Sequence, residues 1–161
     1  MGVEIAEPRH PHLRRMLAYW DEKRGARPFP SRRDIDPVDF GYVLGSVSLV
    51  EVFQNPQRFR YRIAGSHLTG YLGYEMTGRF ADEFPEREVG QYVTARYGAA
   101  ILRQQPVIEA GDEILDGRLW RHETVYLPLS SDGTTIDMLL VCRIAEPPRR
   151  IADIERQSGV A

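Results

Sequence analysis

The sequence predicts an α+β domain built on an antiparallel sheet, and three observations carry that reading. Residues 58–64 alternate Arg58, Arg60 and Arg62 with Phe59, Tyr61 and Ile63, the period-two pattern of a strand with one wet face. Near the C-terminal end, Asp116-Gly117 and Ser131-Asp132-Gly133 are tight-turn signals between apolar stretches, which therefore fold back on one another as hairpins. Between these two strand-rich regions, Val89, Tyr92, Val93, Tyr97, Ala100 and Ile101 recur at helical spacing after Pro85. Hairpins at both ends of a long helix favour one five-stranded antiparallel sheet over a doubly wound parallel one.

The elements follow in order. Residues 1–9 read as a loose arm. Pro11 to Arg24 reads as an amphipathic helix with Leu13, Met16, Leu17 and Tyr19-Trp20 apolar, Pro11 in its first turn and Gly25 at its end. Arg27-Pro28-Phe29-Pro30-Ser31 is an extended connector, and Asp36-Pro37 starts a short helix whose apolar side is Phe40, Val43 and Leu44. Strands are expected at 46–53 and 58–64, joined by a turn at Asn55-Pro56-Gln57. The segment 65–84, with Gly65, Gly70, Gly73 and Gly78, is too irregular to continue a sheet and reads as a helical crossing. The long helix is expected at 85–104, and Pro106 ends it. Three strands at 107–114, 118–129 and 134–144 complete the sheet. Pro147-Pro148-Arg149-Arg150 closes the folded part. The chain thus divides into an arm, helix and connector at 1–33, a core domain at 34–145, and a polar tail at 146–161.

Bulk properties narrow the function classes. A chain of 161 residues, 42% of them hydrophobic, buries one core. A net charge of −2 leaves no global field for nucleic acid or an anionic membrane, and the arginines at 58, 60 and 62 read as a solvated strand face. One cysteine, Cys142, excludes an internal disulfide and a cysteine-rich zinc site; within its apolar run it reads as a small buried hydrophobe. No signal peptide and no membrane-spanning run is apparent, so a cytoplasmic location is expected.

The element order resembles the PAS fold, a sensory α+β domain, and more closely a subfamily of stand-alone bacterial PAS proteins found mainly in alphaproteobacteria. The residues carrying the resemblance are Tyr19-Trp20, the run from Pro30 to Pro37, Phe59 to Gly65, Gly73 to Arg79, Leu127 to Gly133 and Ile136 to Leu140. It covers about residues 13–145. It implies a five-stranded antiparallel sheet with helices on one face, preceded by an N-terminal helical extension. It also implies sensing or protein interaction rather than catalysis. Light-sensing flavin relatives use a cysteine on a helix beside the flavin, whereas Cys142 lies on the last strand. Haem-binding relatives ligate iron through a histidine on the long helix, and residues 85–104 contain none. Photochemical flavin and haem are therefore not expected, which leaves a small organic ligand or none.

The candidate pocket walls are Tyr61, Ile63, Leu72, Tyr92, Tyr97, Trp120, Tyr126 and Met138, with His67 as a candidate polar contact whose competing role is a surface histidine bonded to a loop. Most of the large residues must also serve as core. So many polar-tipped aromatics in one small domain nonetheless favour a pocket with some polarity. The cavity is expected between the sheet face carrying Tyr61 and Trp120 and the segment 65–84, closed by Tyr92 or Tyr97.

No catalytic or metal residue is assigned. His122 and Glu123 are strand neighbours whose side chains leave opposite faces, and His10 and His12 alone make no metal site. No nucleophile elbow, phosphate loop or metalloprotease helix occurs. The expected function is a cytoplasmic single-domain sensory or interaction module signalling through a partner or a dimer. The alternative is a small isomerase- or cyclase-like enzyme, which would need a histidine such as His67 or His122 to converge with a carboxylate. A homodimer is expected through residues 11–24, whose apolar stripe otherwise packs on its own sheet.

Overall fold

The computed structural model describes residues 2–159. Seven strands form one antiparallel sheet: β1 (Val3–Ile5), β2 (Val47–Phe53), β3 (Arg58–Ile63), β4 (Val107–Leu115), β5 (Arg118–Leu129), β6 (Met138–Ala145) and β7 (Arg149–Arg150). Their order is β1-β4-β5-β6-β2-β3, with β7 beside β5 where β6 has ended. The five expected strands are all present, so the count of five is corrected to seven by two short additions. The N-terminal arm supplies β1, which pairs Val3 with Ala110 and Ile5 with Ile108. That pairing covers the otherwise open edge of β4. The tail supplies β7 and the helix α4 (Ile151–Gln157), none of whose residues is buried.

Helix α1 (Pro11–Arg24) begins as the sequence requires, with His10 accepting the His12 amide and Pro11 in the first turn, and ends at Gly25 with φ of +59°. Its stripe is spent inside the molecule. Leu13 and Met16 are fully buried, and the Trp20 indole N–H donates to the Pro128 carbonyl at 2.8 Å. The chain entering α1 approaches the face of β5 that carries Glu123, since Arg9 and His10 donate their amides to that carboxylate. The long helix α3 (Arg87–Arg103) instead meets the face carrying Trp120, Thr124 and Tyr126. Helices therefore cover both faces of the sheet, which corrects the expectation of one face. The physical reason is the stripe itself: burying each large apolar side chain is worth ~1.5–3 kcal/mol.

The face under α1 is closed by a 3-10 helix, Pro37–Ser46, whose Phe40 and Val43 are buried. Asp36 caps it by accepting the Val38 amide. On the other face run α2 (Ser66–Leu72), a 3-10 turn at Ala81–Glu83 and then α3. Residues 78–80 return along the outer edge of β3, where the Gly78 amide donates to the Tyr61 carbonyl and Tyr61 donates to that of Arg79. Strand β6 starts four residues later than expected, because Asp132 holds the turn open. Its Oδ1 accepts the amides of Thr134 and Thr135 at 2.8 and 2.7 Å. The arginine face of β3 is salt-bridged: Arg60 and Arg62 share Glu51, and Arg58 grips Asp82 with two bonds of 2.7 Å. No described helix is long and apolar enough to cross a membrane.

Candidate functional site

Between the sheet and its α2–α3 cover lies a cavity of about 60 Å³. Strand alternation places its floor: Ser48 on β2, Tyr61 on β3, Trp120, Thr124 and Tyr126 on β5, Val141 and Arg143 on β6. Leu68 and Leu72 of α2, Phe84, and Val89, Tyr92, Val93 and Tyr97 of α3 form the roof, with Leu115 at one end. This is the expected location, with both tyrosines of α3 in the wall.

The lining is mainly aromatic, and its tyrosine hydroxyls are paired except that of Tyr126, which has no partner among the described residues. Tyr61 and Tyr97 meet hydroxyl to hydroxyl at 2.6 Å, and their rings stack edge-on with Phe84, Phe59 and Tyr126. Burial pushes the Tyr97 phenol up to about 12, and those of Tyr61 and Tyr126 well above the ordinary value of 10. All three are neutral at physiological pH. Ser48 accepts the Gly65 amide at 2.9 Å, which leaves its own proton to donate. Two further donors are unspent. The Trp120 indole N–H is buried with no acceptor among the described residues. Arg143 lines the cavity with its guanidinium carbon 6.0 Å from the Trp120 ring, and makes no ion pair among the described residues.

Next to this wall lies a buried ionic group. Glu109, 1% exposed, accepts from the Tyr92 hydroxyl and pairs with Arg96 at 2.8 Å. His122 places Nε2 3.5 Å from Glu109 and Nδ1 2.9 Å from the Thr124 hydroxyl. Burial, then repulsion from Arg143, pushes the His122 pKa from 6.5 down to about 3, so the ring is neutral despite the nearby carboxylate. Glu113 accepts the Gly2 amide. The ligand atoms of Glu109, Glu113 and His122 lie within 4.8 Å of one another, a spacing that could hold a cation. All three are already hydrogen-bonded inside the protein, and a metal there would have to displace Arg96 and Tyr92.

Of the nominated residues, Tyr61, Leu72, Tyr92, Tyr97, Trp120 and Tyr126 meet at the cavity. Three do not. Ile63, at the end of β3, is 46% exposed. Met138 lies on the opposite face, since it is three residues from Val141 on the same strand. His67 is exposed on α2, with Nδ1 3.0 Å from the hydroxyl of Ser46, the last residue of the 3-10 helix, so its partner is a surface residue and not the cavity. His122 and Glu123 leave opposite faces as expected, but His122 also meets Glu109, a partner that sequence proximity could not reveal. Cys142 sits on the α1 face, and burial pushes its thiol up to about 12. The sequence reading missed Ser48, Thr124 and Arg143, although Arg143 and Val141 share a face by strand parity alone.

An antiparallel sheet with a helical crossing over one face and a cavity beneath it places the chain in the α+β class. A family model described as PAS domain matches residues 8–142. The chain belongs to the PAS domain family. No curated protein matches it.

Proposed function

We propose that this protein is a cytoplasmic single-domain sensory module in which a small molecule occupies the cavity between the sheet and the α2–α3 cover, and that occupancy is passed to a partner protein or a second copy of the chain. One observation carries the reading: an apolar, aromatic cavity lined by Trp120 and Arg143, whose hydrogen-bond donors have no bonded acceptor among the described residues. That is the make-up of a small-molecule site, whereas a core built only for packing leaves few buried donors unpaired. The family favours the same role, since PAS domains serve as sensory and interaction modules.

Native mass spectrometry of the purified protein tests it by reporting a bound small molecule and the oligomeric state together. A metabolite screen by thermal shift complements it, because a ligand bound only by the native state raises the Tm with concentration. If neither finds a ligand, the module is an adaptor with a filled interior.

A second reading, acid–base catalysis of the isomerase or cyclase kind, draws on the convergence of His122 with Glu109. It is the weaker one, because neither residue lines the cavity and both are sealed by hydrogen bonds to Thr124, Tyr92 and Arg96.

A further inference from the structure

Resting on the reading of the cavity as a ligand site, we infer that its ligand is a small organic monocarboxylate with an apolar body, its carboxylate held by Arg143 together with the indole N–H of Trp120 and the hydroxyl of Ser48. The inference starts from an imbalance of charge. A guanidinium cannot be deprotonated, and half-buried beside apolar groups it calls for a counter-charge. Arg143 is half-buried and lines the cavity, and among the described residues no carboxylate lies within ion-pair distance of it. The buried acids are committed elsewhere: Glu109 takes Arg96 at 2.8 Å and the Tyr92 hydroxyl, and Glu113 takes the Gly2 amide.

The neighbouring polar atoms point the same way. Trp120 is 5% exposed, and its indole N–H is a donor only, buried without an acceptor. Ser48 has accepted the Gly65 amide and so has a proton left to give. Three donor groups, one of them a fixed cation, belong to residues that line the cavity and have no bonded acceptor among the described residues. An acceptor-rich anion satisfies all three and supplies the counter-charge for Arg143, which a neutral or cationic molecule does not.

A single unpaired cation matches one negative charge, which favours a carboxylate over a phosphate dianion. The tail follows from the remaining lining: Leu68, Leu72 and Val93 of the roof and Val141 of the floor are aliphatic, and the tyrosines present ring faces. At about 60 Å³ the resting space is small. The head fits it, and an apolar tail lies toward α2, whose residues are only half-buried or exposed.

Thermal shift and isothermal calorimetry with hexanoate and benzoate, against hexanamide, benzamide and hexylamine at matched ionic strength, test this. The carboxylates are expected to bind and raise the Tm, and the amides and the amine to fail. Arg143→Gln is expected to weaken carboxylate binding roughly ten- to hundredfold, the range of a lost charge-assisted hydrogen bond. Arg143→Lys restores part of it. Since Arg143 has no internal partner, R143Q folds, which circular dichroism verifies. Trp120→Phe keeps the ring and removes only the N–H, and is expected to weaken binding severalfold. Amides binding as well as acids, or R143Q binding hexanoate like the parent, overturns the carboxylate assignment and leaves the cavity a ligand site. Binding of none of the five probes overturns the assignment too, and the metabolite screen then decides separately whether the cavity is a ligand site at all.

Discussion

Gly65 shows how a residue can be indispensable for a reason other than backbone angle. Its φ is −60°, which any residue adopts, but a Cβ there would stand 2.7 Å from the Gly45 carbonyl oxygen and 2.9 Å from that of Val47. Gly78, by contrast, needs φ of +83° to turn its amide toward Tyr61. Gly65→Ala therefore pushes two backbone segments apart and is expected to destabilise by about 1–3 kcal/mol, read as a lowered denaturation midpoint. His122 gives a pH prediction. Its folded pKa of about 3 lies below the ordinary 6.5, so between those values the unfolded chain binds the extra proton. Stability contributed by this site is complete above 6.5 and declines as pH falls toward 3, with a slope approaching ~1.4 kcal/mol per pH unit. Urea denaturation of the parent and of His122→Asn across that window measures it: the parent should lose stability more steeply than the variant, and parallel curves would mean that His122 is not buried neutral. At this scale the sequence revealed the tyrosines and Trp120, because large aromatics announce a core or a pocket wherever they fall. Arg143 was not legible, since a charged residue near a strand end reads as solvated until the register shows which face it takes.

Among the elements, those with long periodic patterns were legible and those held by a few backbone bonds were not. The helix expected at 85–104 is α3 at Arg87–Arg103, and the expected strand at 118–129 is β5 to the residue. β1 and β7 have three and two residues, too short for any alternation to register. Their pairing depends on edges that exist only after the sheet has formed. The α1 stripe was visible, but its destination was not, because the same pattern suits a partner helix or the chain's own sheet. With Leu13, Met16 and Trp20 buried against the sheet, a self-association through residues 11–24 would have to use the polar outer side of α1. Deleting residues 1–24 is then expected to expose the face of Val125, Leu127, Leu140 and Cys142 and to unfold or aggregate the protein. A truncated chain that stays folded with an unchanged Tm would show that α1 does not belong to the core. The C-terminal addition differs. Since α4 buries nothing and its closest neighbour is β7, removing residues 148–159 should leave the Tm within about a degree or two.

Across the whole molecule, the two sides of the sheet are built differently, and under the proposed function that difference decides where a signal would leave. On the α1 side the contact between helix and sheet is apolar: Leu13, Met16, Leu127, Leu140 and Cys142 are all fully buried. The other side carries the cavity under α2, a seven-residue helix with no buried residue and a left-handed Gly73 at its end. Local opening concentrates where few apolar contacts hold an element down, so α2 is the part of the cover best able to respond to what lies beneath it. A ligand that fills the cavity gives Leu68 and Leu72 the packing partner that the sheet alone does not supply, and α2 tightens. Hydrogen exchange is expected to slow for the amides of residues 66–73 when a ligand binds. The central strands β5 and β6, already protected on both sides, should change far less. The neighbouring surface would carry the change outward, because His67 on α2 reaches Ser46 at 3.0 Å and the Tyr71 hydroxyl donates to the Ala145 carbonyl at the end of β6. His67→Ala should preserve ligand binding while loosening that link, so slower exchange at 66–73 would persist and any ligand-dependent change at residues 44–46 would be lost. Equal slowing over the whole sheet would instead mean that the ligand stabilises the fold globally, and α2 would not be the element through which occupancy is read.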